Sequence, residues 1–145
     1  MLDIIHRTKH SLVVVNLFPV LAKTNYNDPL SLKVSSNQRG IQIPTLLVIP
    51  QEHYDKQGEF PRDEWTDLST LTGDVVAFLS KNNYTDSYNF SLPPGHSMRH
   101  VSHYHDHIPA LKPGQRLLKS IEKRPKIKDE LYEKIHELFK NFYLK

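Results

Sequence analysis

The residues best suited to chemistry in this chain of 145 lie together in residues 95–109, GHSMRHVSHYHDHIP. Five of the nine histidines fall within residues 96–107, and His103, His105 and His107 alternate strictly. On an extended strand successive side chains point to opposite faces, so this spacing lines three imidazoles along one face; a helix would scatter them. Three readings are open to such a row. Neutral imidazoles at alternate strand positions are good zinc ligands, and two of them with a third from elsewhere make an open catalytic metal site. An imidazole nitrogen is also a nucleophile for phosphorus, giving a phosphoramidate while its neighbours fix the tautomer and handle the leaving group's proton. That chemistry needs amides or hydroxyls near the phosphate, which a turn at Gly95, His96 and Ser97 would supply. The third reading is a solvated polar loop.

The rest of the chain must hold that row in place. At 145 residues and 38% hydrophobic content there is material for one core, and the expectation is one domain over residues 1–145. The formal charge of +3 does not by itself predict nucleic-acid binding. With no cysteine, disulfides, thiolate metal sites and cysteine nucleophiles are all excluded. No apolar run approaches the ~18 residues that span a bilayer, so the expectation is a cytoplasmic chain without a membrane partner.

Residues 11–17, SLVVVNL, read as a buried strand stopped by Phe18 and Pro19. Residues 29–34 and 41–43 alternate apolar and polar side chains, as a hairpin with a polar loop would. Residues 46–49 are a second buried strand, closed by Pro50. Pro61, Asp63 and Glu64 mark a helix start, and Trp65, Leu68, Thr72, Val75 and Leu79 repeat at helical spacing, predicting a helix over about residues 62–81. Tyr88, Phe90 and Leu92 alternate in a predicted strand over residues 87–92, which would hairpin with the histidine strand. Residues 112–128 form a basic linker, and residues 129–144 an amphipathic helix through Leu131, Ile135, Leu138 and Phe142, expected to pack on the same domain. The basic run reads as a solvated face, with anion steering or RNA contact as the alternative. Trp65 reads as core, and His53 as a surface loop residue.

Together, LVVVNLFPV, TLLVIPQEH, YNFSL and GHSMRHVSHYHDHIP resemble the histidine triad superfamily, whose mark is H-φ-H-φ-H-φ-φ preceded by a GQS turn. The resemblance spans most of residues 12–109. It implies an α+β fold in which an antiparallel sheet carries the triad, commonly as a homodimer. It also implies binding of a nucleotide or nucleotide conjugate, with no cofactor, and hydrolysis or transfer through a nucleotidyl-histidine. By the same resemblance His105 is the nucleophile, flanked by His103 and His107, with Ser97, His96 and Gly95 near the phosphate and Asn16 at the ribose. Counting from Gly95 gives another register, His100, His103 and His105, with His103 as nucleophile. Asp106 stands where the family has an apolar core residue, so the expectation is a bulge there or an exposed carboxylate. Thr45 replaces a histidine, and the long connection over residues 23–44 is similar to the nucleotidyltransferase branch, which includes galactose-1-phosphate uridylyltransferase and dinucleoside tetraphosphate phosphorylases. HYHDH also resembles the HxHxDH ligand motif of the metallo-β-lactamase superfamily, but it lacks a residue between His105 and Asp106, and only His136 follows downstream. The alternatives carried forward are therefore a zinc-dependent hydrolase and a nucleotide or RNA binder without turnover.

Overall fold

The computed structural model describes residues 3–24, 27–28, 30–35, 38–92, 103–118 and 124–143. In chain order the elements are β1 (Ile4–Arg7), β2 (Ser11–Val15), β3 (Leu21–Lys23), β4 (Ser31–Ser35), β5 (Gln38–Gln42), β6 (Thr45–Pro50), α1 (Arg62–Lys81), β7 (Asp106–Pro109) and α2 (Asp129–Phe139). The fold is α+β. One antiparallel sheet runs β1-β2-β6-β7 and a second runs β3-β5-β4.

Alternation divides the first sheet into two faces. Val13, Val15, Leu46, Val48 and Ile108 point to one side, where they bury Leu68, Leu71, Val75 and Leu79 of α1. Full burial of such side chains contributes about 1.5–3 kcal/mol each. Leu12, Val14 and Ile49 form a smaller cluster on the other side with Leu47 packed against it. The pairing of β6 with β7 sets Leu47 opposite His107 and Val48 opposite Asp106. His107 thus faces away from α1, while Asp106 and Ile108 face it.

The long connection forms the second sheet. Its cluster of Val20, Ala22, Ile41, Ile43 and Leu111 is separate from the main core, and Leu117 adds a single bridge beside Ala22. α2 belongs to the main core through Leu131, Ile135 and Phe139, with Phe78 of α1 5.0 Å from Phe139, ring to ring. Among the described residues no helix is long and apolar enough to cross a membrane.

Three expectations change. Residues 87–92 are not a strand: among the described residues only Phe90 pairs, in one antiparallel bridge with His107. Tyr88 is an exposed side chain, and among the described residues it has no ladder partner. The histidine strand is short, its ladder beginning at Asp106, with His103, Tyr104 and His105 ahead of it. The last helix ends at Phe139, and residues 140–143 follow as turns.

Candidate functional site

His107 is fixed on three sides. Leu47 of β6 lies opposite it in the ladder. On the other side its backbone N–H donates to Phe90 O at 2.7 Å, and Phe90 N–H returns a bond to His107 O at 3.0 Å. The Phe90 ring lies flat on the imidazole, centroids 4.9 Å apart and planes 9° apart. His105, two residues earlier, points to the same side, and its Nε2 lies 2.9 Å from Nε2 of His107. His105 is 3% and His107 4% exposed.

The hydrogens on this pair follow from their partners. Nδ1 of His105 faces the backbone carbonyl of His103 at 3.0 Å. A carbonyl only accepts, so Nδ1 carries the hydrogen. In the neutral ring Nε2 of His105 is then the acceptor, and Nε2–H of His107 is the donor between them. The result is an imidazole lone pair aimed at a neighbouring imidazole N–H.

His103 enters this arrangement through its carbonyl. Its ring stacks on that of His53, centroids 4.8 Å apart and planes 24° apart. His53 is exposed, as its sequence position suggests, but its contact with the histidine segment was not legible as a motif. The signal available was the antiparallel pairing of β6 with the histidine strand, which brings residues just after Pro50 beside those just before Asp106. Tyr104 N–H to Tyr54 O, at 2.6 Å, is the bond that does so.

Asp106 corrects the expectation most sharply. It is 6% exposed, and its register against Val48 shows no bulge. Tyr104 Oη donates to its Oδ1 at 3.1 Å and Thr72 Oγ1 to its Oδ2 at 3.1 Å. Burial raises its pKa above the ordinary carboxylate value, while the bonds from Tyr104 and Thr72 pull the other way. The Tyr104 phenol is pushed up to about 12, first by burial and then by the neighbouring Asp106.

Asn16 is turned to its own chain: its side-chain carbonyl accepts from Phe18 N–H at 2.9 Å, and its backbone N–H donates to Thr45 O at 2.9 Å. The Thr45 hydroxyl is buried, donating to Ile43 O at 3.0 Å and accepting from Val20 N–H at 3.3 Å. Gly95, His96, Ser97 and His100 lie outside the described residues. Among the described residues no three His, Asp or Glu side chains converge where a metal ion could be held.

No protein-family model and no curated protein matches this sequence. Solved structures do resemble the fold. A hypothetical histidine triad nucleotide-binding protein of Sulfolobus tokodaii superposes with a TM-score of 0.65 at 16% identity, covering 97% of this chain and 83% of that one. A Hit-like protein of Bartonella henselae, involved in cell-cycle regulation, gives 0.66 at 14% identity over 96% and 85%. The diadenosine triphosphate hydrolase of Plasmodium falciparum gives 0.60 at 16% identity over 95% and 74%. At these identities the likeness is one of fold, and the fold of this chain is that of the histidine triad proteins.

Proposed function

We propose that this chain is a histidine triad protein that binds a nucleotide conjugate and cleaves it through a nucleotidyl-histidine, with His105 Nε2 as the nucleophile. The observation that carries the reading is the pair of Nε2 atoms at 2.9 Å, with Nδ1 of His105 held by the His103 carbonyl. As substrate enters, the bond between the two rings opens; the lone pair of His105 forms a bond to phosphorus as the bond to the leaving-group oxygen breaks, and His107, entering the step as imidazolium, gives its Nε2 proton to that oxygen and is left neutral. The ring of His105 then carries positive charge, which the His103 carbonyl stabilises through Nδ1–H. Water, or a second phosphate in a transferase, attacks phosphorus, the N–P bond breaks, and the attacking water's proton returns to His107. With both rings buried, the substrate must displace what covers them to reach Nε2.

The family relationship, the hydrolase or transferase activity and assembly as a homodimer belong to this proposal. Ser97, His96 and Gly95 stay in it as phosphate contacts. Asn16, its side-chain carbonyl already engaged, would offer Nδ2 to a ribose hydroxyl. Names of proteins with this fold support the nucleotide, including nucleotide-binding protein and diadenosine triphosphate hydrolase.

The test is intact-mass analysis after brief mixing with diadenosine triphosphate and with other nucleoside monophosphate conjugates, quenched in alkali, where phosphoramidates survive. Wild-type protein should gain one nucleotidyl group and His105→Ala none. Labelling that persists in His105→Ala but vanishes in His103→Ala would move the nucleophile to His103. Neither label nor turnover with any conjugate would overturn the reading.

A further inference from the structure

The side of the histidine segment turned toward α1 carries a second pair at the same spacing. Tyr104 and Asp106 precede His105 and His107 by one residue each, and Tyr104 Oη bonds Asp106 Oδ1 at 3.1 Å. Thr72, in the middle of α1, bonds the other carboxylate oxygen at 3.1 Å. All three of Thr72, Tyr104 and Asp106 are buried. Among the described residues no cation pairs with Asp106.

Packing does not account for a carboxyl group here. A buried carboxyl group must be stripped of water, a cost that an apolar residue of similar size does not carry. A leucine at 106 would extend the surface formed by Leu68, Leu71 and Val75. What an apolar residue would lack is direction. The ladder of β7 ends at the pair Val48 and Asp106, so His105 lies just beyond it, where the roll of the backbone is set by the residues on either side. Tyr104 and Asp106 are those residues, and their side chains are bonded to each other and to α1.

We propose that Asp106 is a positioning residue: through Thr72 Oγ1 and Tyr104 Oη it fixes the roll of the chain at residues 104–106 and so holds His105 Nε2 against His107 Nε2. Its consequence for rate rests on the reaction proposed above, whereas its consequence for the imidazoles does not. Asn at 106 keeps an acceptor and gains a donor that either hydroxyl can receive, so it preserves the strut. Leu keeps the volume and removes it.

The experiment follows the ring nitrogens of His105 and His107 by nitrogen-15 NMR in Asp106→Asn, Asp106→Leu and the double variant Thr72→Val with Tyr104→Phe. Formation of the nucleotidyl intermediate from diadenosine triphosphate is measured on the same samples. Wild type and Asp106→Asn should show one tautomer of His105, with hydrogen on Nδ1. Folded Asp106→Leu should show a tautomer mixture and form the intermediate about 10- to 100-fold more slowly at little-changed KM. Should Asp106→Leu fail to fold, the double variant carries the same expectation in smaller measure. A folded Asp106→Leu, or failing that the double variant, with wild-type ring signals would overturn the proposal. Loss of the fixed tautomer in a protein whose wild type never forms an intermediate would support the strut and sink the reaction instead.

Discussion

Phe90 and His107 are locked to each other twice, by an exchanged pair of backbone hydrogen bonds and by rings stacked 4.9 Å apart. The stack holds the ring rotation that turns Nε2 of His107 toward His105. Phe90→Leu keeps the backbone bridge and removes the flat surface. The expected result is a loss of about 0.5–1.5 kcal/mol in urea unfolding, together with a lower kcat on diadenosine triphosphate and little change in KM. A variant that lost affinity while keeping kcat would place Phe90 at the substrate and not behind His107.

Burial raises the pKa of Asp106, so the folded protein holds that proton more tightly than the unfolded chain does. Stability from the protonated form is then fully present below the ordinary carboxyl range and is lost as pH rises through the higher folded value. Asp106→Asn cannot ionise and escapes the loss. Its advantage over wild type should be small near pH 4 and grow toward neutrality to about 1–3 kcal/mol, measured by urea unfolding across that range. An advantage independent of pH would mean that the carboxyl group ionises in the fold as it does in water.

What could be read from the chain, and what could not, divides by distance along it. α1 was legible to the residue because Pro61, Asp63, Glu64 and the 3.6-residue stripe are all local. β2 and β6 were legible because both their faces are covered, leaving unbroken apolar runs. The alternation of Tyr88, Phe90 and Leu92 misled because a strand needs partners, and among the described residues only Phe90 has one. The clearest miss at the site has the same cause. An aspartate among histidines suggests an exposed or bulged position until Thr72, 34 residues away, is seen to bond it. The contact of His103 with His53 likewise depends on the antiparallel return of the chain.

Gly40 marks a close approach in the second sheet. A Cβ added there would lie 3.2 Å from Leu21 Cβ, 3.2 Å from Val34 Cγ2 and 2.7 Å from Leu118 Cδ1. The Leu118 methyl is the end of a flexible side chain, but Leu21 is held in β3 by its pairing with Gln42 and cannot retreat. Alanine in place of a strand glycine ordinarily stabilises through the unfolded chain; here overpacking should win. Gly40→Ala should cost about 1–3 kcal/mol in urea unfolding, and a neutral or stabilising result would show that β3 yields.

Gln42 joins the second sheet to the last helix. It is 1% exposed, accepts from Lys128 N–H at 2.8 Å, and donates to Lys126 O at 2.8 Å and Pro125 O at 3.3 Å. Lys128 is the residue from which α2 starts, so one buried side chain sets where the chain turns into the helix. Gln42→Leu preserves the bulk but strands an amide and two carbonyls, at about 1–3 kcal/mol for a buried group left without a partner. Hydrogen exchange should quicken in α2, while the ring nitrogens of His105 and His107 keep their signals, because their support comes from β6, Phe90 and the Asp106 strut. Unchanged protection in α2 would assign the helix's docking to Leu131, Ile135 and Phe139 alone, and a shift in the imidazole signals would show that the site and the terminal helix are coupled.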